Sequence, residues 1–458
     1  MSPESPLRVA VVGSGPAGFY AAGGLLASDD PKVEVDMIER LPTPWGLVRL
    51  GVAPDHPKIK EVSRAFERIA ARPGFRFLGN VELGRDLTPA DLSGLYDAVV
   101  YAVGAQTDRH LGIPGEELPG SWPATVLVAW YNGHPDFQDR RFDLSGERAV
   151  VIGNGNVAVD VARMLALTAE ELAPTDTTDA AIEAIVGSGI REILMLGRRG
   201  PVQAAFTTPE LIELGELGGA DVVVDPGELE LDAASAAELE AGTAIQKRNL
   251  DVLREFAARV PAEKPRALRL RFRVSPIAIL GDERVEAIEV VRNELVPDGR
   301  GSVRAVPTDE REVIPCGIVL RSVGYRGVEL PGVPFDAERA TIRNDRGRVC
   351  DAGGAPVARV YCAGWIKRGP TGVIGTNKKD ATETIERLLE DARSGALPRA
   401  DGASAEAVDA LLAERGVDVV TYTGWELIDK AESELGLPLG RPRVKLASWD
   451  ELLRAARG

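Results

Sequence analysis

The sequence predicts an α/β protein in which two parallel sheets, each flanked by helices, are formed by separate parts of the chain. Two short apolar segments, residues 8–12 and 148–152, run directly into glycine-rich turns that are followed by helical patterns. A third apolar segment, VYCAGW at residues 360–365, ends in a similar turn late in the chain. Because this late segment matches the first unit, we expect the second unit to interrupt the first. At ~150 residues per domain, a chain of 458 residues has room for both.

The composition and the charge of the chain exclude several classes of protein. Hydrophobic residues make up 44% and charged residues 27%, which suffices for a buried core. With 70 acidic against 54 basic side chains, the formal net charge is −16, which argues against nucleic-acid binding. No apolar run approaches the ~20 residues needed to cross a bilayer, so membrane insertion is not expected.

The cysteines and the N-terminus bear on metal chemistry and on compartment. Cys316, Cys350 and Cys362 lie far apart and form no CxxC pair. This spacing argues against a disulfide scaffold, cysteine-bound zinc, an iron–sulfur cluster and a redox-active dithiol, and no metal site is expected. The N-terminus enters a strand-like segment almost at once, which leaves no room for a signal peptide. We therefore expect a cytoplasmic protein.

The first glycine-rich turn has the context of a dinucleotide-binding motif. Gly13, Gly15 and Gly18 form a GxGxxG pattern between the strand-like RVAVV and a helical pattern of small residues. Gly13 allows a tight turn, Gly15 lets the backbone approach a pyrophosphate, and Gly18 lets helix and strand pack closely. The next strand-like segment, VEVDMI, ends at Glu39, whose carboxylate can accept hydrogen bonds from a ribose diol. The combined spacing favours this interpretation over an ordinary strand–turn–helix with a surface glutamate.

The second glycine-rich turn, GNGNVA at residues 153–158, has a different charge at the corresponding strand end. Its third glycine position holds Ala158, which dinucleotide-binding folds tolerate. The next strand-like segment, REILML, leads to Arg198 and Arg199 where a ribose-binding acid would otherwise stand. A guanidinium binds the 2′-phosphate of NADP(H) in bidentate fashion, whereas an acid would repel it. The motif therefore favours NADP(H) over NAD(H). It also favours this binding role over the alternative, in which the two arginines merely lie at a solvated strand end.

Two such motifs in one chain indicate two dinucleotide-binding (Rossmann-like) domains, the first for FAD and the second for NADPH. We expect a discontinuous FAD-binding domain at residues 1–107 and 325–458, the latter including the C-terminal tail. The NADP-binding domain is expected at residues 108–324, inserted between them. A chain with both sites points to hydride transfer between nicotinamide and flavin. The tail itself carries no recognisable chemistry and is expected to cover the FAD-binding domain.

Several longer segments carry a family resemblance that covers most of the chain. They are GSGPAGFYAA, GLVRLGVAPDHPKIK, LGIPGEELPG, GNGNVAVDVARMLA, GRRGPVQAAFTTPEL, RSVGYRG and GWIKRGPTGVIGTNKKDA. In this order they resemble the adrenodoxin-reductase-type ferredoxin–NADP⁺ reductases. The resemblance implies an enzyme that passes a hydride from NADPH to FAD and then single electrons to a ferredoxin-type iron–sulfur protein.

The resemblance also implies cofactor contacts at matching positions. For FAD these are Ala17, Glu39, Leu47, Leu83, Trp365, Gly372, Val373 and Ile374. For NADP(H) they are Asn154, Gly155, Asn156, Val157, Arg198, Arg199, Glu210 and again Gly372. Trp365 would offer a flat apolar surface near the isoalloxazine, the alternative being an ordinary core aromatic. Ile374 is expected to start a helix whose dipole favours negative charge on the reduced flavin.

His56 and Glu213 are the residues that the resemblance places near the flavin and the nicotinamide. Without the resemblance, the position of His56 between Asp55 and Pro57 would indicate a structural turn residue. Hydride transfer requires no general acid, so we expect His56 and Glu213 to orient the reactants or to carry a proton to the reduced flavin.

A basic run offers one candidate surface for an acidic ferredoxin. The run contains no acid and comprises Lys264, Arg266, Arg269, Arg271 and Arg273. In a strand the alternating arginines would share one face, which fits either a docking surface or an edge strand kept soluble by charge. Other docking candidates are Arg191, Arg198 and the Lys367–Arg368 loop.

Two other functions fit the same motifs. One is an NADPH-dependent flavin diaphorase that acts on quinones or small oxidants without a protein partner. The other is a non-catalytic electron-transfer subunit that binds dinucleotides. Turnover with a ferredoxin against turnover with a quinone separates the two enzymes, and no turnover with any acceptor would favour the subunit.

Overall fold

The computed structural model describes residues 5–299 and 302–458. The chain forms two compact units. The first unit comprises the residues up to Thr107 together with Gly324–Gly458, and the second comprises Asp108–Val323. Each unit has its own sheet and its own buried core.

The elements of both units follow in chain order. The strands are β1 (Leu7–Val12), β2 (Val33–Ile38), β3 (Phe75–Leu78), β4 (Ala98–Tyr101), β5 (Thr107–Asp108), β6 (Ser121–Pro123), β7 (Arg148–Ile152), β8 (Glu192–Leu196), β9 (Ala220–Val224), β10 (Arg266–Arg271), β11 (Val274–Leu280), β12 (Ala287–Pro297), β13 (Val303–Pro315), β14 (Ile318–Arg321), β15 (Tyr325–Arg326), β16 (Phe335–Asp336), β17 (Thr341–Ile342), β18 (Asn344–Asp345), β19 (Arg348–Cys350) and β20 (Pro356–Cys362). The α-helices are α1 (Pro16–Leu25), α2 (Leu47–Leu50), α3 (Pro57–Lys60), α4 (Ser63–Ala70), α5 (Pro89–Leu95), α6 (Ala124–Tyr131), α7 (Asn156–Ala166), α8 (Ala169–Leu172), α9 (Asp179–Val186), α10 (Thr208–Leu214), α11 (Ala233–Ala241), α12 (Ala244–Ala257), α13 (Trp365–Arg368), α14 (Thr376–Ser394), α15 (Ala405–Glu414), α16 (Tyr422–Gly436) and α17 (Trp449–Ala455). Short 3₁₀ turns lie at Pro135–Phe137, Pro201–Gln203, Pro226–Leu229 and Leu437–Leu439. None of the helices in the described part of the chain is long and apolar enough to span a membrane.

The first unit is organised around a mostly parallel sheet. Its described residues form seven strands in the order β18-β19-β20-β4-β1-β2-β3. β20, β4, β1, β2 and β3 are parallel, and β19 and β18 add an antiparallel edge. Every residue of β1 is buried, as expected for a central parallel strand. The strand order reverses between β1 and β4, so a crevice for a ligand is expected outside the carboxyl ends of these two strands.

The second unit repeats this plan. Its described residues form a parallel six-stranded sheet in the order β6-β14-β7-β8-β10-β9, which reverses between β7 and β14. An antiparallel sheet of β11, β12 and β13 is formed by the chain between β10 and β14. The two parallel sheets confirm the predicted fold class of two Rossmann-like units, one of which interrupts the other.

The predicted edge strand of arginines is an interior strand. β10 lies between β8 and β9, so the interpretation as an edge strand kept soluble by charge is wrong. Arg269 contacts Glu192 at 3.0 Å, and Arg271 contacts Glu312 at 2.8 Å. Arg266 instead donates to backbone carbonyl oxygens, among them that of Ile185 at 2.9 Å. These partners compensate the positive charge of the basic run, for which the sequence shows no neighbouring acid.

Lys367, another predicted docking residue, is buried and engaged within the first unit. Its ammonium nitrogen lies 3.2 Å from a carboxylate oxygen of Asp380 and 2.7 Å from one of Glu383. Arg368 donates to the side-chain oxygen of Asn377 at 3.0 Å. Lys367 is therefore not available as an exposed docking residue, because it connects α13 to α14; docking at the rest of the Lys367–Arg368 loop stays a prediction.

The C-terminal tail contributes to the core of the first unit and does more than cover it. Trp425, Ile428 and Leu452 are buried in the same cluster as the residues of β1 and α1. The Trp425 ring packs edge-on against Trp45, with ring centroids 4.9 Å apart. Trp45 lies two residues before the start of α2, so helix α16 of the tail supports the segment that carries α2.

A buried ion pair fastens the same two segments. Arg49 of α2 donates to both carboxylate oxygens of Glu432 of α16, at 2.8 and 2.5 Å. The side chains are 3% and 0% exposed. The Arg49 guanidinium also lies 5.1 Å from the centre of the Trp425 ring. In such a bidentate geometry each partner compensates the burial of the other.

We expect Glu432→Gln to destabilise the first unit markedly. The substitution leaves the Arg49 guanidinium buried without its carboxylate, which typically costs about 3–5 kcal/mol. Differential scanning calorimetry should show a lower Tm. Glu434→Gln is the matched control on the same helix, because the Glu434 side chain is 68% exposed and its contact with Lys430 is 3.8 Å long. Equal Tm values for the two variants would contradict a structural role for the buried pair.

Candidate dinucleotide sites

The first glycine turn depends on two close approaches of backbone to backbone. Gly13 has φ of 103°, and a Cβ atom there would lie 2.6 Å from the carbonyl oxygen of Ala102 at the end of β4. A Cβ atom on Gly18 would lie 2.0 Å from the carbonyl oxygen of Gly13. Both contacts are far too short for any side chain, so these positions require glycine.

The middle glycine of this turn, Gly15, leaves space of the kind a phosphate needs. No atom lies within 4 Å of a Cβ built on Gly15. Gly15 is the N-cap of α1, where no side chain caps the helix and the first turn holds no acid. The unpaired N–H groups at such a helix start, with the positive end of the helix dipole, suit a pyrophosphate. Gly46, with φ of 52°, borders this space, because its Cβ position is 3.0 Å from Gly15 Cα.

Glu39 lies beside the first turn, at the end of β2. One carboxylate oxygen accepts hydrogen bonds from the Ser14 backbone N–H at 3.0 Å and from the Ser14 hydroxyl at 2.7 Å. The other oxygen accepts from the Leu41 backbone N–H at 3.0 Å. The side chain is half-buried, and its oxygens have further lone pairs for a ribose hydroxyl.

The late segment of the chain meets the start of α1 at Gly364. This residue has φ of 79°, and a Cβ there would lie 2.5 Å from the Cβ of Ala17. Trp365 follows at the start of α13, half-buried, with its ring centroid 5.2 Å from that of Tyr325. The Trp365 indole N–H is buried and has no hydrogen-bond partner among the described residues. The late segment thus brings a large aromatic close in sequence to a glycine that touches the first turn.

The remaining predicted FAD contacts are apolar or glycine positions of the same unit. Gly372 has φ of 78°, and Ile374 is half-buried. The side chains of Leu47 and Val373 are 39% and 59% exposed, while Leu83 is half-buried. The prediction that Ile374 starts a helix is off by two residues, because α14 begins at Thr376 with Gly375 as N-cap. The proline and glycines of PTGVIG delay the helix.

The second glycine turn repeats the close approach of the first. Gly153 has φ of 133°, and a Cβ there would lie 2.2 Å from the carbonyl oxygen of Ser322, just after β14. The space at the Cβ position of Gly155 is open, and Gly155 caps α7 without a side-chain hydrogen bond. Ala158 is fully buried against the core, which explains why a small residue suffices there. Val157 packs against the same core and is partly buried.

Two asparagines connect this turn to the segment before α10. The Asn154 carbonyl accepts from the N–H groups of Ala205 and Phe206 at 3.0 and 3.1 Å. The Asn156 side-chain oxygen accepts from the Thr207 N–H at 2.8 Å. The order of the motifs along the sequence gives no sign of this connection, which positions α10 beside the turn.

Arg198 and Arg199 lie just after β8. Hydrogen bonds fix their backbone, but no acid among the described residues compensates the charges of their side chains. The Arg198 carbonyl accepts from the Asn293 side chain at 2.8 Å, and the Arg199 carbonyl from the Arg273 N–H at 2.9 Å. Arg198 is exposed and Arg199 half-buried. Within the described part of the chain neither guanidinium forms an ion pair, and Arg199 donates only to the Gln203 carbonyl at 3.4 Å. Two such guanidinium groups suit a dianionic phosphate.

Glu210 and Glu213 lie on α10 and share a buried arginine. Pro209 occupies the first turn of this helix, where proline is tolerated, so the helix forms normally around Glu210. Arg163 of α7 contacts Glu210 at 3.1 Å and Glu213 at 3.5 Å. The charge of Glu210 is therefore compensated within the second unit. Sequence reasoning missed Arg163, because its partners lie on a different helix.

His56 belongs to the first unit. It is the half-buried N-cap of the short helix α3, and its backbone N–H donates to the Ala53 carbonyl at 3.0 Å. Pro57 starts that helix, as the predicted stiff turn implies.

Comparison with known proteins places the chain in a family. The model of the pyridine nucleotide-disulphide oxidoreductase family matches residues 7–195. The NADPH-ferredoxin reductase FprA of Mycobacterium tuberculosis is 52% identical over 461 residues, which cover 99% of this chain and 100% of that protein. The structure of that FprA in complex with NADPH superimposes with a TM-score of 0.92 over 99% of this chain and 100% of that chain.

A more distant relative shows that the similarity reaches beyond bacteria. The mitochondrial NADPH:adrenodoxin oxidoreductase of Salvelinus fontinalis is 41% identical over 469 residues, which cover 100% of this chain and 92% of that protein. The predicted resemblance is confirmed: this chain belongs to the adrenodoxin-reductase-type family of NADPH–ferredoxin reductases.

Proposed function

We propose that this protein is an NADPH–ferredoxin reductase that takes a hydride from NADPH and delivers single electrons to a ferredoxin-type iron–sulfur protein. The observation that carries the proposal is the contrast between the two glycine turns. The first turn ends in the carboxylate of Glu39, and the second in the uncompensated guanidinium groups of Arg198 and Arg199. One chain therefore holds one site suited to FAD and one suited to NADPH.

The residues of the first unit fit FAD. The open space at Gly15 and the uncapped start of α1 would hold the pyrophosphate, and Glu39 would accept from the ribose hydroxyls. The buried, unpartnered indole N–H of Trp365 fits a polar edge of the bound group. When bound, FAD supplies the chemistry of accepting two electrons as a hydride and releasing them one at a time. Leu47, Leu83 and the Gly372–Ile374 segment would supply apolar and backbone contacts to it.

The residues of the second unit fit NADPH. The start of α7 at Gly155 would hold the pyrophosphate, with Asn154, Asn156 and Val157 forming the turn around it. Arg198 and Arg199 would bind the 2′-phosphate. Arg163 lies on α7, which follows the turn, and Glu210 lies on α10. The ion pair between them would fix α10 relative to the bound dinucleotide.

His56 and Glu213 are proposed to orient the nicotinamide and to move a proton, since hydride transfer itself needs neither an acid nor a base. The Glu213 side chain is 42% exposed and yet fixed by Arg163, which suits a group that must face a ligand in a defined position. The turn before Pro57 restricts His56 in the same way.

The proposed partner is an acidic ferredoxin acting in the cytoplasm. The net charge of −16 opposes such a partner, so docking requires a local basic surface. Because Arg198 is assigned to the 2′-phosphate, the exposed Arg191 is better suited to docking than the paired arginines of β10 or the buried Lys367. Cys316, Cys350 and Cys362 are free and buried, which suits a reducing compartment.

Replacing Arg198 and Arg199 together with glutamine should raise the KM for NADPH roughly tenfold or more. Each charge-assisted hydrogen bond to the 2′-phosphate contributes about 1.5–3 kcal/mol, and NADH lacks that phosphate. Steady-state kinetics with both nucleotides should show little change in the KM for NADH. Arg254→Gln is the control, because Arg254 is an exposed arginine on α12 of the same unit and belongs to neither predicted site. A double variant with an unchanged NADPH/NADH preference would refute the 2′-phosphate role.

The function itself is tested by turnover with a panel of electron acceptors. With NADPH as donor, we expect the purified protein to reduce ferredoxin at low salt faster than it reduces a quinone. Rising ionic strength should slow the ferredoxin reaction, because the attraction between opposite charges is screened over ~10 Å at 0.1 M salt. Preferred reduction of the quinone would favour the diaphorase, and no turnover with any acceptor would favour the non-catalytic subunit.

A further inference from the structure

A cavity in the first unit lies apart from the predicted cofactor contacts. It has a volume of about 250 Å³ and lies between the start of α5, the strands β4 and β20, and the Gly332–Pro334 loop. Its apolar wall includes Val99, Val333 and Val360. None of the residues that line it is a predicted FAD contact.

A buried phenol without a protein partner opens into this cavity. Tyr101 lines the cavity and is 2% exposed, and its hydroxyl forms no hydrogen bond with any described residue. Its neighbour Tyr96, which also lines the cavity, donates to Asp36 at 2.9 Å. Burial raises the pKa of Tyr101 to about 12, so its hydroxyl stays protonated and can donate. The unpaired hydroxyl is not itself fully buried, so it can donate to a ligand that enters the cavity.

A cationic side chain lines the same cavity. Arg359 of β20 is half-buried and forms no ion pair with any described residue; its one hydrogen bond, to the Ser93 hydroxyl, is 3.4 Å long. Its φ of 67° is rare for a residue with a side chain, and such strain persists only where the surroundings fix it. A partly buried guanidinium without an acid favours a carboxylate as its partner.

We propose that this cavity binds a small aromatic monocarboxylate. The carboxylate would accept from the Arg359 guanidinium and the Tyr101 hydroxyl, and the ring would lie against the valines and the Tyr96 ring. An engineered cavity of about 150 Å³ holds benzene, so this one has room for a ring with one carboxylate. The cavity is too small for a dinucleotide, and the proposal is independent of the proposed reductase function.

Benzoate is the probe that tests the site. Calorimetric titration into the protein as purified, with NADP⁺ present, should show saturable binding. Benzyl alcohol, which has the same ring without the charge, should bind more weakly than benzoate. Arg359→Gln should weaken benzoate binding roughly tenfold or more, and Tyr101→Phe several-fold, because each removes a donor to the carboxylate. Arg68→Gln is the control, since Arg68 is exposed on α4 and does not line the cavity.

Several results would overturn the proposal. Benzoate that does not bind saturably, or that binds both variants as tightly as the parent protein, would show that the cavity is not a site. Competition between benzoate and NADP⁺ would assign the binding to a dinucleotide site instead. If a variant loses its native thermal transition, the proposal is tested on the parent protein alone. Equal affinity of the parent protein for benzyl alcohol and benzoate would contradict the role of the Arg359 guanidinium.

Discussion

The close approach of each glycine turn to a neighbouring strand is the constraint on which the rest of the structure depends. Backbone lies so near Gly13 and Gly153 that a Cβ atom would be 2.6 and 2.2 Å from the carbonyl oxygens of Ala102 and Ser322. These approaches place the starts of α1 and α7 at the points where the strand order of each sheet reverses. A helix start in that position presents free N–H groups, and Gly15 and Gly155 leave open space in front of them. Each unit can therefore hold a pyrophosphate.

We propose that the charge at the end of the following strand then decides which dinucleotide each unit accepts. Two unit charges about 4 Å apart interact by roughly 4 kcal/mol at an effective dielectric constant of about 20. A 2′-phosphate beside Glu39 would be repelled by an energy of that order, whereas beside Arg198 and Arg199 it is attracted. The hydrogen bonds from Ser14 and Leu41 fix the acid, and the backbone bonds to Asn293 and Arg273 fix the arginines' position. On this proposal, the specificity for each dinucleotide rests on two well-fixed strand ends.

Local features of the site could be predicted from the sequence, and long-range pairs could not. The glycine turns, Glu39 and the two arginines follow from short motifs, because the strand, turn and helix are adjacent in the chain. Arg49 and Glu432 are 383 positions apart, and no local pattern links them. The basic run on β10 looked uncompensated for the same reason: its acidic partners Glu192 and Glu312 come from other strands. Lys367 is likewise paired with acids of a following helix, Asp380 and Glu383.

Anaerobic titration of the purified, folded protein with NADPH and, separately, with NADH tests the assignment of the two cofactors most directly. We expect visible flavin absorption in the protein as isolated. We further expect that about one equivalent of NADPH bleaches this absorption, that NADH at the same concentration does so far more slowly, and that oxidised ferredoxin then restores it. A folded protein without flavin absorption, or one that NADH bleaches as readily as NADPH, would contradict the assignment of FAD to the first unit and NADPH to the second.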